Sequence, residues 1–191
     1  MWLRSFLERW NYKDIVRLLA NHPYFDITLM TADRKAGQSI ASVFPHLVTQ
    51  DLPNLVAVND ADFSDVDAVF CCLPHGTTQD IIKALPGWLK VVDLSADFRL
   101  RDTSEYEEWY GQPHRAPELQ ACQLLSEAVY GLTEILRQEI QNARLVANPG
   151  CYPTSIQLPL VPLLKLLELP TDSPKQCKGV SFSCMRAMEA Y

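Results

Sequence analysis

Residues 145–158 read LVANPGCYPTSIQL, an apolar strand-like run, a Pro-Gly turn and then a helix beginning near Pro153. This order puts Cys151 at a helix start, where unpaired backbone N–H groups and the positive end of the helix dipole favour thiolate over thiol. A thiolate is a nucleophile at neutral pH, and the same N–H groups would stabilise an oxyanion on a substrate carbonyl. Pro149 and Gly150 make the turn, and a proline at a helix start loses no hydrogen bond. The competing reading of Cys151 is a small buried residue, one of six cysteines. The Asn-Pro-Gly context weighs for the nucleophile.

Positioning such a residue takes a scaffold, and the rest of the chain spells one out. Strand-sized apolar runs lie at 25–30, 55–58, 66–73, 89–94 and 144–147. Helix-like segments at 14–20, 77–85, 133–141 and 154–169 alternate with them, several with apolar residues at three- and four-residue spacing. The alternation implies an α/β fold, with a parallel sheet and flanking crossover helices. The run at 66–73 is apolar on both faces and suits the middle of a covered sheet. Ligands of such folds gather at the carboxyl ends of the strands. Attention therefore falls on residues 31–35, 74–76, 95–99 and 148–151.

Composition narrows the class of function. The 191 residues are 48% hydrophobic and carry 17 basic against 23 acidic side chains, with no basic run, which argues against nucleic acid and anionic membranes. The greasiest stretch, 158–170, is too short for a bilayer crossing and contains Pro159, Pro162, Lys165 and Glu168. The first ten residues lack the apolar core of a secretory signal, and Glu8 and Asp14 sit poorly in a transit peptide. The cysteines show no C-x-x-C pair and no histidine at finger spacing, so no metal site is expected. Cys71 and Cys72 read as part of a buried strand, and reduced thiols in an intracellular compartment fit best.

At ANPGCYPTS (147–155) the chain resembles the active-site signature of the N-acetyl-gamma-glutamyl-phosphate reductases, the semialdehyde dehydrogenases of arginine biosynthesis. FCCLPHGT (70–77), VDLSADFRL (92–100) and VYGLTEI (129–135) extend the resemblance in family order, over residues 14 to about 169, and the wording is closest to the plant form. The resemblance implies a Rossmann-like dinucleotide-binding domain followed by a substrate domain. It also implies NADPH-dependent reduction of a small acyl phosphate to the aldehyde, through a thioester on Cys151. Arg34 and Lys35 follow the second strand of that fold, where cations can pair with the 2'-phosphate of NADP; a solvated turn is the alternative. Pro74, His75 and Gly76 would lie beside the nicotinamide, unless His75 is simply a strand-end cap. Ser95, Arg99 and Asn148 fall to the substrate side, with Arg99 able to hold a carboxylate or phosphate bidentately. A buried Asp97 to Arg99 ion network is the architectural alternative. By the same resemblance the protein is a chloroplast homo-oligomer; without a legible transit peptide the alternative compartment is the cytoplasm.

Two departures qualify the resemblance. The family opens on a strand and a glycine-rich turn that cradles the pyrophosphate, whereas here the first glycine is Gly37. Similarity also fades near Leu169, and none of His22, His46, His75 and His114 stands in the context of the family's catalytic histidine. The expected organisation is a divergent segment at 1–13, an NAD(P)-binding domain at 14–150, the active-site cysteine with a first helix of the substrate domain at 151–170, and an unrelated tail at 171–191. On this reading the first strand and most of the substrate domain are missing, and NADPH binding is weakened or lost. Two other functions compete: an inactive truncated isoform that pairs with full-length subunits, and a cysteine acyl-transferase or esterase using water as acceptor.

Overall fold

A computed structural model describes residues 11–32, 34–115 and 128–166. Most of the expected segment 1–13 and all of the expected tail 171–191 lie outside the described residues, as do Cys122, Cys177 and Cys184. The chain divides after Ser95 into two compact units.

The first unit runs α1 (Asn11–Leu19), β1 (Met30–Thr31), α2 (Ile40–Val43), β2 (Leu55–Val56), β3 (Ala68–Cys71), α3 (Thr78–Ala84) and β4 (Lys90–Asp93). β1 pairs with β2 in parallel, Met30 opposite Leu55, and β3 pairs with β4 in parallel, Ala68 opposite Lys90. Parallel pairing demands a crossover, and α3 is the crossover between β3 and β4. Tyr12, Val16 and Leu19 fall at helical spacing on one face of α1 and bury that face against Met30, Ala32, Ile40, Leu47 and Leu55. Phe70 and Cys72 pack onto the same cluster.

The second unit runs α4 (Thr103–Tyr110), β5 (Ala128–Tyr130), α5 (Thr133–Asn142), β6 (Leu145–Ala147) and α6 (Cys151–Leu166). β5 and β6 are parallel, Ala128 opposite Leu145, with α5 as their crossover. Gly131 N–H donates to Ala147 O at 2.8 Å and carries the pairing to the last residue before the Pro-Gly turn. α6 continues through Pro159 and Pro162.

The parallel strands with intervening helices match the expected α/β class, while several bounds moved. Of the run expected at 25–30, only Met30 is strand. Phe25 is 44% exposed and sets its ring edge-on to those of His22 and Phe70. The reason is that β2 offers only Leu55 and Val56 as partners, so an extended run has nothing more to pair with. α4 was not expected, because TSEYEEWY buries only Tyr106 and has little amphipathic signal. Its ends were nevertheless written in the sequence: Asp102 accepts from Ser104 N at 2.8 Å as N-cap, and Gly111, at φ 67°, closes the helix. Among the described residues no helix is long and apolar enough to cross a membrane.

Candidate active site

Cys151 is the first residue of α6, exposed and a free thiol. The helix begins earlier than the expected 154, because Gly150 O accepts both Thr154 N at 3.1 Å and Thr154 Oγ1 at 2.9 Å and so caps the first turn. Pro153 is buried in that turn and has no N–H to satisfy. The N–H groups of Cys151 and Tyr152 are left without a partner inside the helix, a pair of donors beside the thiol.

Arg99 grips the turn that delivers this cysteine. Its Nε donates to Asn148 O at 2.9 Å. A Cβ on Gly150 would meet an Arg99 terminal nitrogen at 3.2 Å and Pro153 Cδ at 3.3 Å, so only glycine lets the guanidinium lie this close to the backbone. Asn148 turns its own amide onto Pro149 O at 3.1 Å. Arg99, Asn148 and Cys151 are therefore brought together within the second unit, one cation and a thiol on a single tight turn.

Behind Arg99 stands Asp97, which the sequence singled out, with two partners, Tyr106 and His114, to which it gave no role. Asp97 is fully buried, and its Oδ1 accepts the Tyr106 hydroxyl at 2.9 Å. His114 Nε2 lies 3.0 Å from Asp97 O, its ring edge-on to those of Phe98 and Tyr106. Burial pushes the His114 pKa down, and burial with the Asp97 carboxylate pushes the Tyr106 hydroxyl up. Neither Tyr106, in a helix that was not expected, nor His114 carries a local mark in the sequence.

The remaining expected residues lie in the first unit. Arg34 is exposed and Lys35 half-buried in the turn after β1; Lys35 O accepts Gln38 N at 3.1 Å, and Gly37 N donates to Leu55 O. Pro74, His75 and Gly76 form a turn at the end of β3. Pro74 O accepts Thr77 Oγ1 at 2.7 Å, and Gly76, buried at φ 79°, supplies the left-handed residue that a type II turn requires. His75 is exposed on this turn. Ser95 is buried after β4, its Oγ donating to Asp93 Oδ2 at 2.6 Å and its N–H to Asp93 Oδ1 at 3.0 Å, which directs the hydroxyl proton into the scaffold.

A nicotinamide dinucleotide is the group this fold implies. Arg34 and Lys35 stand in the turn after β1, and a buried glycine at positive φ keeps the turn after β3 free of a Cβ. Burial drives the Cys71 thiol well up, and burial with the Asp93 carboxylate pushes Cys72 up to about 12, so both stay protonated.

Residues 13–143 match the family described as semialdehyde dehydrogenase, NAD binding domain. The chain belongs to that family. Its semialdehyde dehydrogenase-type sequence is 79% identical, over 152 residues, to a protein of Oryza sativa subsp. japonica named "Probable N-acetyl-gamma-glutamyl-phosphate reductase, chloroplastic", covering 80% of this chain and 35% of that protein. It is 58% identical over 157 residues to the N-acetyl-gamma-glutamyl-phosphate reductase of Rhodospirillum rubrum, covering 80% of this chain and 43% of that one. The chain thus spans well under half the length of the curated relatives it matches. Among solved structures it is similar to aspartate semialdehyde dehydrogenase II from Vibrio cholerae, at 15% identity and a TM-score of 0.45, over 72% of this chain and 34% of that one.

Proposed function

We propose that the Cys151 turn performs the acylation half of N-acetyl-gamma-glutamyl-phosphate reduction. The observation that carries this reading is the exposed Cys151 thiol at the first position of α6, on a turn held by Arg99. The Cys151 thiolate attacks the acyl carbon, a sulfur–carbon bond forms, the carbon–oxygen bond to phosphate breaks, and phosphate leaves with its electron pair. The N–H groups of Cys151 and Tyr152 face the oxyanion that develops, and Arg99 offsets the negative charge of the phosphate or carboxylate.

NADPH, when bound, supplies the hydride that takes the thioester to N-acetylglutamate 5-semialdehyde. Arg34 and Lys35 would hold its 2'-phosphate and the Pro74–Gly76 turn its nicotinamide end. Binding is expected to be weak, because residues 1–13, where a glycine-rich phosphate cradle would lie, contain no glycine. Residues 14–150 are read as the cofactor domain and 151–170 as the entry to the substrate domain. The names of the plant relatives, which call them chloroplastic, favour the chloroplast, and the family resemblance favours a homo-oligomer.

The test is acylation without cofactor. Incubated with N-acetyl-gamma-glutamyl phosphate, the chain should release phosphate and gain one acyl group, mapped by mass spectrometry to Cys151, and Cys151→Ser should do neither. Phosphate release undiminished in Cys151→Ser would overturn the assignment.

A further inference from the structure

Arg99 follows Asp97 by two residues, and Asp97 is held at both its side chain and its backbone. The side-chain Oδ1 accepts from Tyr106 OH at 2.9 Å, and the backbone oxygen faces His114 Nε2 at 3.0 Å. A carbonyl oxygen can only accept, so His114 carries a proton on Nε2. The two donors come from different elements, Tyr106 from α4 and His114 from the segment after it, and their rings meet edge-on at 4.9 Å. Tyr106 is in turn stacked on Tyr110 at 4.7 Å. Asp97, Tyr106 and His114 are all buried, so this is a closed polar clasp inside the second unit, with little freedom to rearrange.

We propose that Tyr106 and His114 are positioning residues which, by clasping Asp97 from two sides, lay the Arg99 guanidinium across the Asn148–Gly150 turn beside Cys151. The proposal deepens the reading of Cys151 as the nucleophile for an anionic substrate and rests on it. Asp97 and Arg99 are too close in sequence for the backbone between them to move independently, so loosening Asp97 displaces Arg99. The consequence is electrostatic and selective. A displaced guanidinium lowers the attraction of anions to Cys151 and leaves the approach of neutral molecules alone.

A pair of alkylating reagents separates the two effects in the chain as it stands. Iodoacetate and iodoacetamide both react by thiolate attack on the methylene carbon, forming a sulfur–carbon bond and expelling iodide, and differ in charge. The rate of each at Cys151 is read by mass spectrometry, and the iodoacetate to iodoacetamide ratio is referred to that of a small free thiol. The native ratio should be raised several-fold over the reference and should fall to the reference in Arg99→Gln. Tyr106→Phe and His114→Phe, which keep the rings and remove the donors, should each lose most of the elevation with the iodoacetamide rate unchanged. His114→Gln, which can place an amide N–H near Nε2, should restore it. An unfolded Tyr106→Phe, seen by circular dichroism, leaves the decision to the His114 pair. A native ratio in either folded ring variant, or a parallel change with both reagents, overturns the proposal. Because no substrate is used, that outcome is distinct from failure of the acylation test.

Discussion

Arg99 Nε donates to Asn148 O at 2.9 Å across 49 residues of sequence, so the guanidinium is tied to the backbone of the turn that presents Cys151. The bond joins the end of the SADFR motif to the start of the NPGC motif. The first motif carries the cation and the second the thiol.

Arg99→Lys should therefore be costly although charge is kept. A single ammonium cannot both bond Asn148 O and flank Gly150 as the planar guanidinium does. Urea unfolding should show a loss of about 1–3 kcal/mol, the value of a hydrogen bond to a charged group. Phosphate release from the acyl phosphate should slow by roughly tenfold, since the reacting groups lose orientation. A variant with native stability and native phosphate release would mean the bond does not hold the turn.

Thiol reactivity should divide the cysteines sharply. Cys151 is exposed, whereas Cys71 is buried with its thiol pushed well up and Cys72 is pushed up to about 12. Only thiolates alkylate at an appreciable rate, so iodoacetamide at neutral pH should label Cys151 while leaving Cys71 and Cys72 intact in the folded chain. Peptide mapping that finds Cys71 or Cys72 labelled first would return Cys151 to a structural role.

Much of this arrangement was legible in the sequence, and the exceptions have a common cause. β3, β4, β6, α1, α3 and α5 fell close to expectation, because each carries its own apolar period. So did the strand-to-helix turn at Cys151, because Pro149, Gly150 and Pro153 are local backbone signals. What could not be read was long-range. β1 shrank to Met30 and Thr31 because its partner β2 is short. The Asp97 clasp is assembled from α4 and from His114, which lies 17 residues along the chain and carries no local mark. The Asp97 carboxylate accepts the Tyr106 hydroxyl, a contact across nine residues that the sequence did not suggest.

His114 should give stability a pH dependence of definite sign. Burial lowers its folded-state pKa from the ordinary 6.5. The unfolded chain therefore takes up the proton first as pH falls, and linkage removes stability in that direction. The contribution is fully present above about 6.5. It is lost progressively as the pH drops towards the lower folded value. Melting temperatures measured between neutral and mildly acidic pH should fall more steeply for the native chain than for His114→Gln, which cannot titrate. Parallel curves would remove His114 as the cause.

Cofactor binding should be the weak point of the chain. A dinucleotide's pyrophosphate is ordinarily held by backbone N–H groups at a glycine-rich helix start, and residues 1–13 contain no glycine. Fluorescence titration should show NADPH binding well weaker than the micromolar range, and steady-state formation of the semialdehyde by the purified chain should stay at background. Tight micromolar binding would show that the 2'-phosphate and nicotinamide contacts suffice without a cradle.

Two glycines flank the active-site strand, and they should fail in different ways. A Cβ at Gly131 would lie 2.9 Å from Val146 Cγ1 and 3.1 Å from Ala147 O, against a β-branched side chain and a backbone atom that cannot swing aside. Gly131→Ala should therefore cost about 1–3 kcal/mol of stability by overpacking. A Cβ at Gly150 would meet the end of the Arg99 side chain at 3.2 Å and Pro153 Cδ at 3.3 Å, and the guanidinium can move where the proline ring cannot. Gly150→Ala should then shift Arg99 on the turn, at a cost no greater than the about 1–3 kcal/mol of the Arg99–Asn148 bond. Phosphate release from the acyl phosphate should slow, with Cys151 still alkylated by neutral iodoacetamide at its native rate. If Gly150→Ala instead released phosphate at the native rate, the place of Arg99 beside Cys151 would be a consequence of the fold with no part in the chemistry.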